Sequence, residues 1–329
     1  MKLAIIGSGM IANEFLSIYH NIDGIHIKSI YGRVSSKEKL NRIKDTYNIE
    51  NVFYDYNEHL KSDIDTVYIA LPNNLHYKFT KEALQANKNV IVEKPITTNY
   101  KEALELSKLA KDRNLFIFEA ITTQYLPNYK KIKDIVSKLG DIKIVQCNFS
   151  QYSSRYNSFK KGDIQPAFDV NCSGGALMDL NIYNVHYVVG LFGKPKNVEY
   201  YPNIERNIDT SGILILEYEN FKCVCIGAKD CKSPISNTIQ GNNGCIYQST
   251  PTNSCEGFEL ITNNGAKTIF NENKYDHRMI NEFIEFKRII ENNDFEACYK
   301  MLEHSLAVID VLTTARIKSG IIFEADNVK

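Results

Sequence analysis

The 329-residue sequence contains no tryptophan, although it has 20 tyrosines and 16 phenylalanines. Aromatic stacking in a binding pocket would therefore fall to residues such as Tyr152, Tyr156 or Phe168, each of which is more typical of a core or an interface. The sequence also lacks a net charge, because Lys and Arg total 39 and Asp and Glu total 39. This balance excludes an overall field that favours nucleic acid or an anionic membrane, so neither is an expected partner.

Two further absences concern membranes and metals. No apolar run approaches the ~18–20 residues of a membrane span, and the eight cysteines include no Cys-x-x-Cys pair. Cys223 and Cys225 alternate along an apparent strand, so we expect free and mostly buried thiols rather than disulfides, and no bound metal. The first residues pass directly into a strand without room for a signal peptide, which predicts a cytoplasmic protein.

The most informative stretch is the amino-terminal one. The run Lys2–Ile6 is apolar and long enough for one buried strand, and a helical pattern begins a few residues later. Between them, Gly7, Gly9 and Ala12 fall in the spacing G-x-G-x-x-A, which is the dinucleotide-binding fingerprint. Gly7 permits a tight turn, Gly9 leaves the backbone open to a pyrophosphate, and Ala12 allows close packing of helix on strand. The alternative is a glycine turn of purely structural use.

The order of elements predicts two domains. Strands alternate with helices up to about residue 120, which indicates a Rossmann-type, doubly wound parallel sheet of the α/β class. Beyond it, one helix follows Pro127, several strand-like runs come next, and two helices end the chain. We predict an NAD(P)-binding Rossmann domain in residues 1–120 and an α+β domain with a large, mostly antiparallel open sheet in residues 121–329.

Ligands of doubly wound sheets bind at the carboxyl ends of the strands, so the residues there are candidates for chemistry. Lys94 follows a predicted central strand and precedes Pro95, from where it could reach a substrate hydroxyl; a surface lysine before a turn is the alternative. Asn73 and Asn74 follow another strand. They either cap the next helix or line the cofactor cleft.

A second candidate group lies in the predicted α+β domain. Gly174 and Gly175 begin a helix-like segment in which Asp179 and Tyr183 are four residues apart. On a helix this spacing puts the carboxylate and the phenol on one face, with His186 close to it. The alternative is a capped helix whose polar residues are satisfied in the interior.

The choice between NADP and NAD depends on the end of the second strand. NAD enzymes of this architecture usually carry an acidic residue there for the ribose 2′-hydroxyl. Here no acid lies between Asp23 and Glu38. The strand ends at Gly32-Arg33, and Ser35, Ser36 and Lys37 follow. An arginine with small hydroxyl residues suits a 2′-phosphate, which favours NADP, with NAD as the second possibility. The alternative is that Arg33 is only a solvated charge.

The sequence resembles the Gfo/Idh/MocA oxidoreductase family over nearly its whole length. The motifs that carry the resemblance are Gly7-Ser-Gly-Met-Ile-Ala12, Pro72-Asn-Asn-Leu-His76, Glu93-Lys-Pro95 and Gly174-Gly-Ala-Leu-Met-Asp179. Within the family it is most similar to the dimeric dihydrodiol dehydrogenase and NADP-dependent D-xylose dehydrogenase branch. That similarity depends on Glu119-Ala120, Leu126-Pro127, Phe168-Asp169 and Asp179-Leu-Asn-Ile-Tyr183. Many relatives have a histidine where this chain has Tyr183.

The resemblance implies a catalytic role for three residues. Lys94 would hydrogen-bond the substrate oxygen and help to hold the nicotinamide, and Asp179 would orient the substrate or the lysine. Tyr183 would be the general acid and base. Its phenol, with an ordinary pKa near ~10, would be helped by the Lys94 ammonium, which favours the phenolate.

The resemblance also implies a cofactor site and an assembly. The predicted cofactor-binding residues are Gly7, Ser8, Gly9, Met10, Ile11, Gly32, Arg33, Leu71, Pro72, Asn73, His76, Glu93 and Lys94. Members of the family commonly pair the open sheet of the second domain across an interface. A homodimer or homotetramer through the carboxyl-terminal sheet is therefore expected.

Three positions depart from the family pattern. Asn181 stands where the family usually has glycine, and Thr122 and Gln124 stand where the similar branch has Trp and Arg. Asn adopts many of the backbone conformations open to glycine, so the first departure carries little weight. The other two positions lie near the cofactor and substrate in the family, so the substrate is not carried over from that branch.

These observations predict an NAD(P)-dependent dehydrogenase or reductase acting on CH–OH groups, with NADP favoured. Hydride would pass between the nicotinamide and a sugar, polyol or related hydroxyl or carbonyl compound. Two alternatives stay open: a dinucleotide-binding sensor without turnover, and a redox-neutral enzyme that holds its cofactor tightly.

Overall fold

The computed structural model describes residues 1–327, which form two compact units. The first unit contains Met1–Ala120 and Met279–Leu306, and the second contains Ile121–Arg278 and the segment from Ala307 onward. The order of elements predicted one second domain in residues 121–329, whereas the structure groups Met279–Leu306 with the first unit. The physical reason is aromatic packing, because the ring of Phe283 stacks on Phe15 with centroids 4.2 Å apart.

Ten α-helices are distributed over the described residues. Their bounds are α1 (Met10–Ile18), α2 (Lys37–Tyr47), α3 (Tyr56–Leu60), α4 (Asn73–Gln85), α5 (Tyr100–Asp112), α6 (Pro127–Ile135), α7 (Tyr156–Lys160), α8 (Ile182–Phe192), α9 (Arg278–Glu291) and α10 (Phe295–Lys318). None of the helices within residues 1–327 is both long and apolar enough to cross a membrane.

The first unit is built on a six-stranded parallel sheet. Its strands are β1 (Lys2–Ile6), β2 (His26–Tyr31), β3 (Asn51–Phe53), β4 (Thr66–Ile69), β5 (Asn89–Glu93) and β6 (Ile117–Ala120). They lie in the order β3-β2-β1-β4-β5-β6. The strands β1 to β3 therefore extend the sheet in one direction and β4 to β6 extend it in the other, with the switch between β1 and β4. This is the Rossmann topology, whose ligands bind at the carboxyl ends of the strands beside that switch.

The second unit is built on an eight-stranded sheet. Its strands are β7 (Ile142–Ser150), β8 (Asn197–Glu205), β9 (Ile208–Glu217), β10 (Lys222–Ala228), β11 (Asn237–Gly241), β12 (Gly244–Gln248), β13 (Phe258–Thr262) and β14 (Lys267–Phe270). The order is β14-β13-β12-β11-β7-β10-β9-β8, and only β7 and β10 pair in parallel. The predicted fold, a Rossmann sheet followed by a large, mostly antiparallel sheet, is confirmed.

The core of the second unit lies on one face of this sheet. Val145 and Cys147 of β7 and Cys223 and Cys225 of β10 are fully buried there. The sulfur atoms of Cys223 and Cys225 are 3.6 Å apart and all eight cysteines are free thiols, as the alternation along the strand predicted. The other face of the sheet keeps several apolar side chains exposed.

Candidate active site

The turn between β1 and α1 requires glycine for reasons within the protein itself. The Gly7 N–H donates to the Tyr31 carbonyl at 2.9 Å, which ties the turn to the end of β2. Gly7 has a φ of +108°, and a Cβ at this position would lie 2.4 Å from the Ala70 carbonyl oxygen. A side chain would therefore push the turn away from the end of β4.

The amino-terminal end of α1 offers free hydrogen-bond donors to solvent. Gly9 precedes the helix, no side chain caps it, and the first turn holds no acidic residue. A Cβ on Gly9 would meet no atom within 4 Å, so the space in front of the helix is open. Ser8 and Ile11 are half-buried beside this space and Met10 is exposed. Unpaired backbone N–H groups and the positive end of the helix dipole suit an anionic group such as a pyrophosphate.

An unpaired cation follows β2. A Cβ on Gly32 would lie 2.9 Å from the Leu40 side chain, so glycine lets α2 pack close to the strand end. The exposed Arg33 side chain makes no hydrogen bond or ion pair with any other residue in the range 1–327, and the same holds for the ammonium of Lys37. The side chain of Ser35 is exposed between them.

His76 joins the loops that follow β4 and β5. Its Nδ1 lies 2.7 Å from the Pro95 carbonyl oxygen and its Nε2 lies 2.9 Å from the Leu71 carbonyl oxygen. The imidazole is fully buried, and burial lowers the pKa of His76 although the two carbonyls act in the opposite direction. An effect of His76 on a cofactor must therefore pass through these two loops.

The loop after β5 carries Lys94 and is held by two buried carboxylates. Glu93 is buried and accepts a 2.6 Å hydrogen bond from the Tyr68 hydroxyl, and burial together with this carboxylate raises the pKa of Tyr68. Glu119 at the end of β6 accepts a 2.9 Å bond from the Ile96 N–H. The peptide bond between Lys94 and Pro95 is cis, and Lys94 is half-buried.

The remaining predicted cofactor residues lie at the carboxyl end of β4. Leu71, Pro72 and Asn73 are half-buried, and Asn73 is the first residue of α4. They follow the strand directly beside β1, on the other side of which lies β2. All the predicted cofactor-binding residues of the first unit are thus at the carboxyl ends of β1, β2, β4 and β5, or in the first turns of the helices that follow.

In the second unit, Asp179 lies on a widened helical turn that directly precedes the helix carrying Tyr183. The segment Leu177–Asn181 is a single π-helical turn that continues directly into α8, which carries Tyr183. Such turns contain one extra residue and occur frequently at functional sites. The sequence pattern predicted a plain helix here. The Asp179 carboxylate is partly exposed, whereas Tyr183 is mostly buried with its ring centroid 6.1 Å from that of Phe149.

Asp209 anchors the start of this π-turn. Its carboxylate accepts 2.7 Å hydrogen bonds from the Leu177 N–H and from the Tyr200 hydroxyl. Burial raises the pKa of Asp209 to about 6, while these two donors lower it. Gly175 has a φ of +106° and a Cβ there would lie 2.0 Å from the Asp209 carboxylate, which explains a glycine at this position.

A lysine that the sequence analysis missed binds Asp179. The Lys229 ammonium donates a 2.8 Å hydrogen bond to Asp179 Oδ2 and a second one to the Ala167 carbonyl oxygen. It also lies 4.3 Å from the centre of the Phe168 ring. Lys229 directly follows the apolar strand β10, which is the signal that singled out Lys94 after β5 and could have identified this lysine.

The three departures from the family pattern have structural explanations. Asn181 has a φ of −69°, so no glycine is needed, and its Nδ2 donates to the Cys225 carbonyl at 3.0 Å. A Cβ on Gly227 would lie 2.7 Å from Asn181 Cβ, so this glycine provides the room. Thr122 and Gln124 are buried and donate to the carbonyls of Asn253 and His186, both at 2.8 Å.

A solvent-open cleft of about 490 Å³ also lies in the second unit, and none of the predicted site residues lines it. Its lining residues are Leu126, Ser254, Glu256, Asn271, Asn273, Lys274, Tyr275, Asp276, His277 and Arg278. Acidic and basic side chains are mixed in this cleft, so its charge indicates no ligand.

The Rossmann topology and the open glycine turn define the first unit as a dinucleotide-binding domain. Family models agree with this assignment and extend it. Residues 1–120 match the model described as "Oxidoreductase family, NAD-binding Rossmann fold", and residues 129–247 match the "GFO/IDH/MocA C-terminal domain". The chain therefore belongs to the Gfo/Idh/MocA oxidoreductase family, which confirms the resemblance and the prediction of an NAD(P)-dependent dehydrogenase or reductase.

Particular relatives cover most or all of the chain. The scyllo-inositol 2-dehydrogenase (NADP(+)) IolU of Bacillus subtilis (strain 168) is 32% identical over 328 residues, 99% of each chain. A trans-1,2-dihydrobenzene-1,2-diol dehydrogenase of Xenopus laevis is 27% identical over 252 residues, 74% of each chain. Among solved structures, KijD10, a 3-ketoreductase from Actinomadura kijaniata in complex with NADP and TDP-benzene, has a TM-score of 0.82. That match has 19% identity and covers 96% of this chain and 97% of the other, which establishes a common fold.

Proposed function

We propose that this protein is an NADP-dependent oxidoreductase that moves hydride between the nicotinamide and a hydroxyl or carbonyl carbon of a polyol or sugar. The observation that carries the proposal is that this member of the family has both an open glycine turn before α1 and an acid and a tyrosine, Asp179 and Tyr183, on one helical segment. The similarity to a scyllo-inositol dehydrogenase over the full chain supports the substrate class. The proposed catalytic group is Lys94, Asp179 and Tyr183.

The residues of the first unit fit a phosphorylated dinucleotide. The space in front of α1, which a side chain on Gly9 would fill, suits the pyrophosphate. The unpaired Arg33 guanidinium, with Ser35 beside it, suits the 2′-phosphate, because a guanidinium binds phosphate oxygens through two parallel hydrogen bonds. The loops that His76 joins, which include Leu71, Pro72 and Asn73, would border the nicotinamide half together with Glu93 and Lys94.

The bound nicotinamide supplies or accepts hydride at its C4 atom. In the oxidising direction, the proton of the substrate hydroxyl passes to the oxygen of Tyr183, and in the reducing direction Tyr183 returns it. The Lys94 ammonium donates a hydrogen bond to the substrate oxygen. Asp179 accepts hydrogen bonds from neighbouring substrate hydroxyl groups, which fixes the carbon that reacts.

A polyol and sugar panel tests this function. Purified protein is incubated with NADP⁺ or NAD⁺ and with inositol isomers, aldoses and linear polyols, and the absorbance of reduced nicotinamide is followed. We expect turnover of at least one panel member, faster with NADP⁺ than with NAD⁺ at equal concentrations. Cofactor binding without turnover of any member, in either direction, would contradict the proposal and favour the sensor or the redox-neutral enzyme.

We also propose that the exposed face of the eight-stranded sheet joins two copies of the chain as a homodimer, or pairs of dimers as a tetramer. Strand register puts Tyr201, Ile213 and Ile226 in one row across β8, β9 and β10. Tyr201 is 61% exposed and Ile213 is 44% exposed, and Ile144 on the same face of β7 is 49% exposed. Exposed apolar side chains on a sheet face are typical of an interface, and a two-fold axis would let this face pair with the same face of a second copy.

The oligomeric state is measured by light scattering during size-exclusion chromatography. We expect the wild type to elute at two or four times the chain mass, and the double variant Ile144→Asp/Ile213→Asp to shift towards the monomer. Asn41→Asp, which adds a negative charge on the exposed surface of α2, is the control and should leave the mass unchanged. A wild type that elutes as a monomer at micromolar concentration contradicts this assembly.

A further inference from the structure

Lys229 is a buried lysine with no part in the proposed chemistry so far. Its side chain is 2% exposed, and its backbone is held on both sides. The Lys229 N–H donates to the Thr210 carbonyl at 2.8 Å, and its own carbonyl accepts from the Ser153 N–H at 2.9 Å. The side chain therefore leaves a fixed backbone position at the end of β10, between Thr210 of β9 and Ser153, which follows β7.

The ammonium of Lys229 is enclosed by few partners. Two of its protons point to oxygen atoms, at Asp179 and at the Ala167 carbonyl, and the face of the Phe168 ring covers it at 4.3 Å. A cation removed from water in this way needs a nearby anion, since the loss of hydration is by itself strongly unfavourable. Asp179 is the only carboxylate that makes an ion pair with it among residues 1–327.

Asp179 is placed differently from its partner. Its side chain is 32% exposed, so one edge of the carboxylate is held by the buried lysine while part of the group remains accessible to solvent. A half-exposed pair adds little to folding stability. It does hold the carboxylate in one orientation and in its charged form, in which it accepts hydrogen bonds and donates none.

We propose that Lys229 is a positioning residue that holds Asp179 as a charged acceptor for substrate hydroxyl groups. The inference rests on the proposed function, in which Asp179 orients the substrate. It adds a requirement on the substrate class. A hydroxyl group next to the reacting carbon must donate to Asp179, so a deoxy analogue lacking that hydroxyl is a poor substrate, whereas an analogue altered on the far side of the ring is tolerated.

A kinetic double-mutant cycle tests the role of Lys229. The variants are Lys229→Met, Asp179→Asn and the double variant, assayed with saturating NADP⁺ and the best substrate of the wild type. We expect Lys229→Met to lower kcat/KM by about 10–100-fold, because the loss of one charge-assisted hydrogen bond has that order of effect. The loss in kcat/KM should be shared between a lower kcat and a higher KM in the same proportion in Lys229→Met as in Asp179→Asn. The double variant should be no worse than Asp179→Asn to within ~2-fold, because Lys229 acts through Asp179.

Lys138→Met is the matched control, since it removes an exposed ammonium from the second unit at a position outside both the proposed site and the eight-stranded sheet. It should retain the kcat and KM of the wild type. A purely structural role for Lys229 predicts instead that the losses in kcat/KM multiply in the double variant. Multiplied losses, or wild-type kinetics for Lys229→Met, would overturn the inference.

Thermal unfolding of the wild type and the three variants of the cycle tests the pairing of Lys229 with Asp179 independently of activity. Asp179→Asn leaves the enclosed ammonium without its counter-charge and should lower the melting temperature by ~5 °C, whereas Lys229→Met added to it should restore part of that loss. If the wild type turns over no substrate, the proposed function fails. If the two changes in melting temperature are strictly additive, the pairing of Lys229 with Asp179 fails, whatever the activity.

Discussion

Tyr183→Phe is expected to lower kcat by about 10²–10⁴-fold, the range that a positioned general acid or base contributes. The change removes the phenolic oxygen that takes and returns the substrate proton, and keeps the ring that packs beside Phe149. Because the proposed cofactor contacts lie in other residues, the affinity for NADPH should stay within ~2-fold of the wild type. Steady-state rates and a fluorescence titration measure the two effects separately.

Tyr187→Phe provides the matched control. Tyr187 lies on the same helix, α8, is buried, and its hydroxyl group makes no hydrogen bond with another described residue, so removal of that hydroxyl should leave kcat unchanged. If Tyr183→Phe retains turnover within a few-fold of the wild type, the acid and base role of Tyr183 is wrong. Equal losses in both variants would point to a packing effect along α8 rather than to proton transfer.

Arg33→Ala has the second-largest expected effect, on the choice of cofactor. It should raise the Kd for NADPH by about 10–100-fold and that for NADH by at most ~2-fold, because only NADPH carries the 2′-phosphate that a charge-assisted bidentate contact would hold. The preference should also weaken as salt concentration rises, since Arg33 is exposed. Titrations of both cofactors at low and moderate ionic strength measure this difference.

Arg42→Ala is the control for net charge. Arg42 is exposed on α2, and its substitution removes the same charge from the same unit. It should change both affinities little and equally. If Arg33→Ala weakens NADPH no more than it weakens NADH, then Arg33 is a solvated charge and the argument for NADP from the end of β2 fails.

The sequence allowed the Rossmann domain to be predicted because its signals are local. Each buried parallel strand is a continuous apolar run, and helix starts such as Asn99 are marked by a capping side chain, which here accepts from the Glu102 N–H at 2.9 Å. Other strands have weaker patterns in the sequence. Asn51–Phe53 is only three residues long, and Asn237–Gly241 and Lys267–Phe270 contain polar residues whose strand form depends on pairing with neighbours.

The grouping of Met279–Leu306 with the first unit could not be read from the sequence. The periodicity of α9 shows that the helix has an apolar face, and Phe283 and Phe286 belong to it. Periodicity does not say which partner covers that face. In the structure Phe283 contacts Phe15 and Phe286 contacts Phe118, which are more than 160 positions away in the chain.

The candidate site also has residues with local sequence signals and residues whose role depends on distant contacts. The glycine turn, the end of β2 and the loop at Lys94 were predicted because each lies beside a recognisable strand. Asp209 was missed because the pairing of distant strands brings it to the π-turn, and nothing near it in the sequence marks a site. Lys229 follows an apolar strand, as Lys94 does, but its pairing with Asp179 depends on the folding that brings the two residues together. Asn181 illustrates the same limit, since the glycine that makes room for it is Gly227, which lies on β10, 46 positions later in the chain.

The central claim is that the first unit binds NADPH for hydride transfer, and fluorescence titration of the purified wild-type protein with NADPH and NADH tests it most directly. We predict saturable binding of both cofactors, with at least ~10-fold tighter binding of NADPH, as expected for one additional charge-assisted phosphate contact. Equal affinities would leave the oxidoreductase proposal intact and refute the preference for NADP. No saturable binding of either cofactor would contradict the account as a whole.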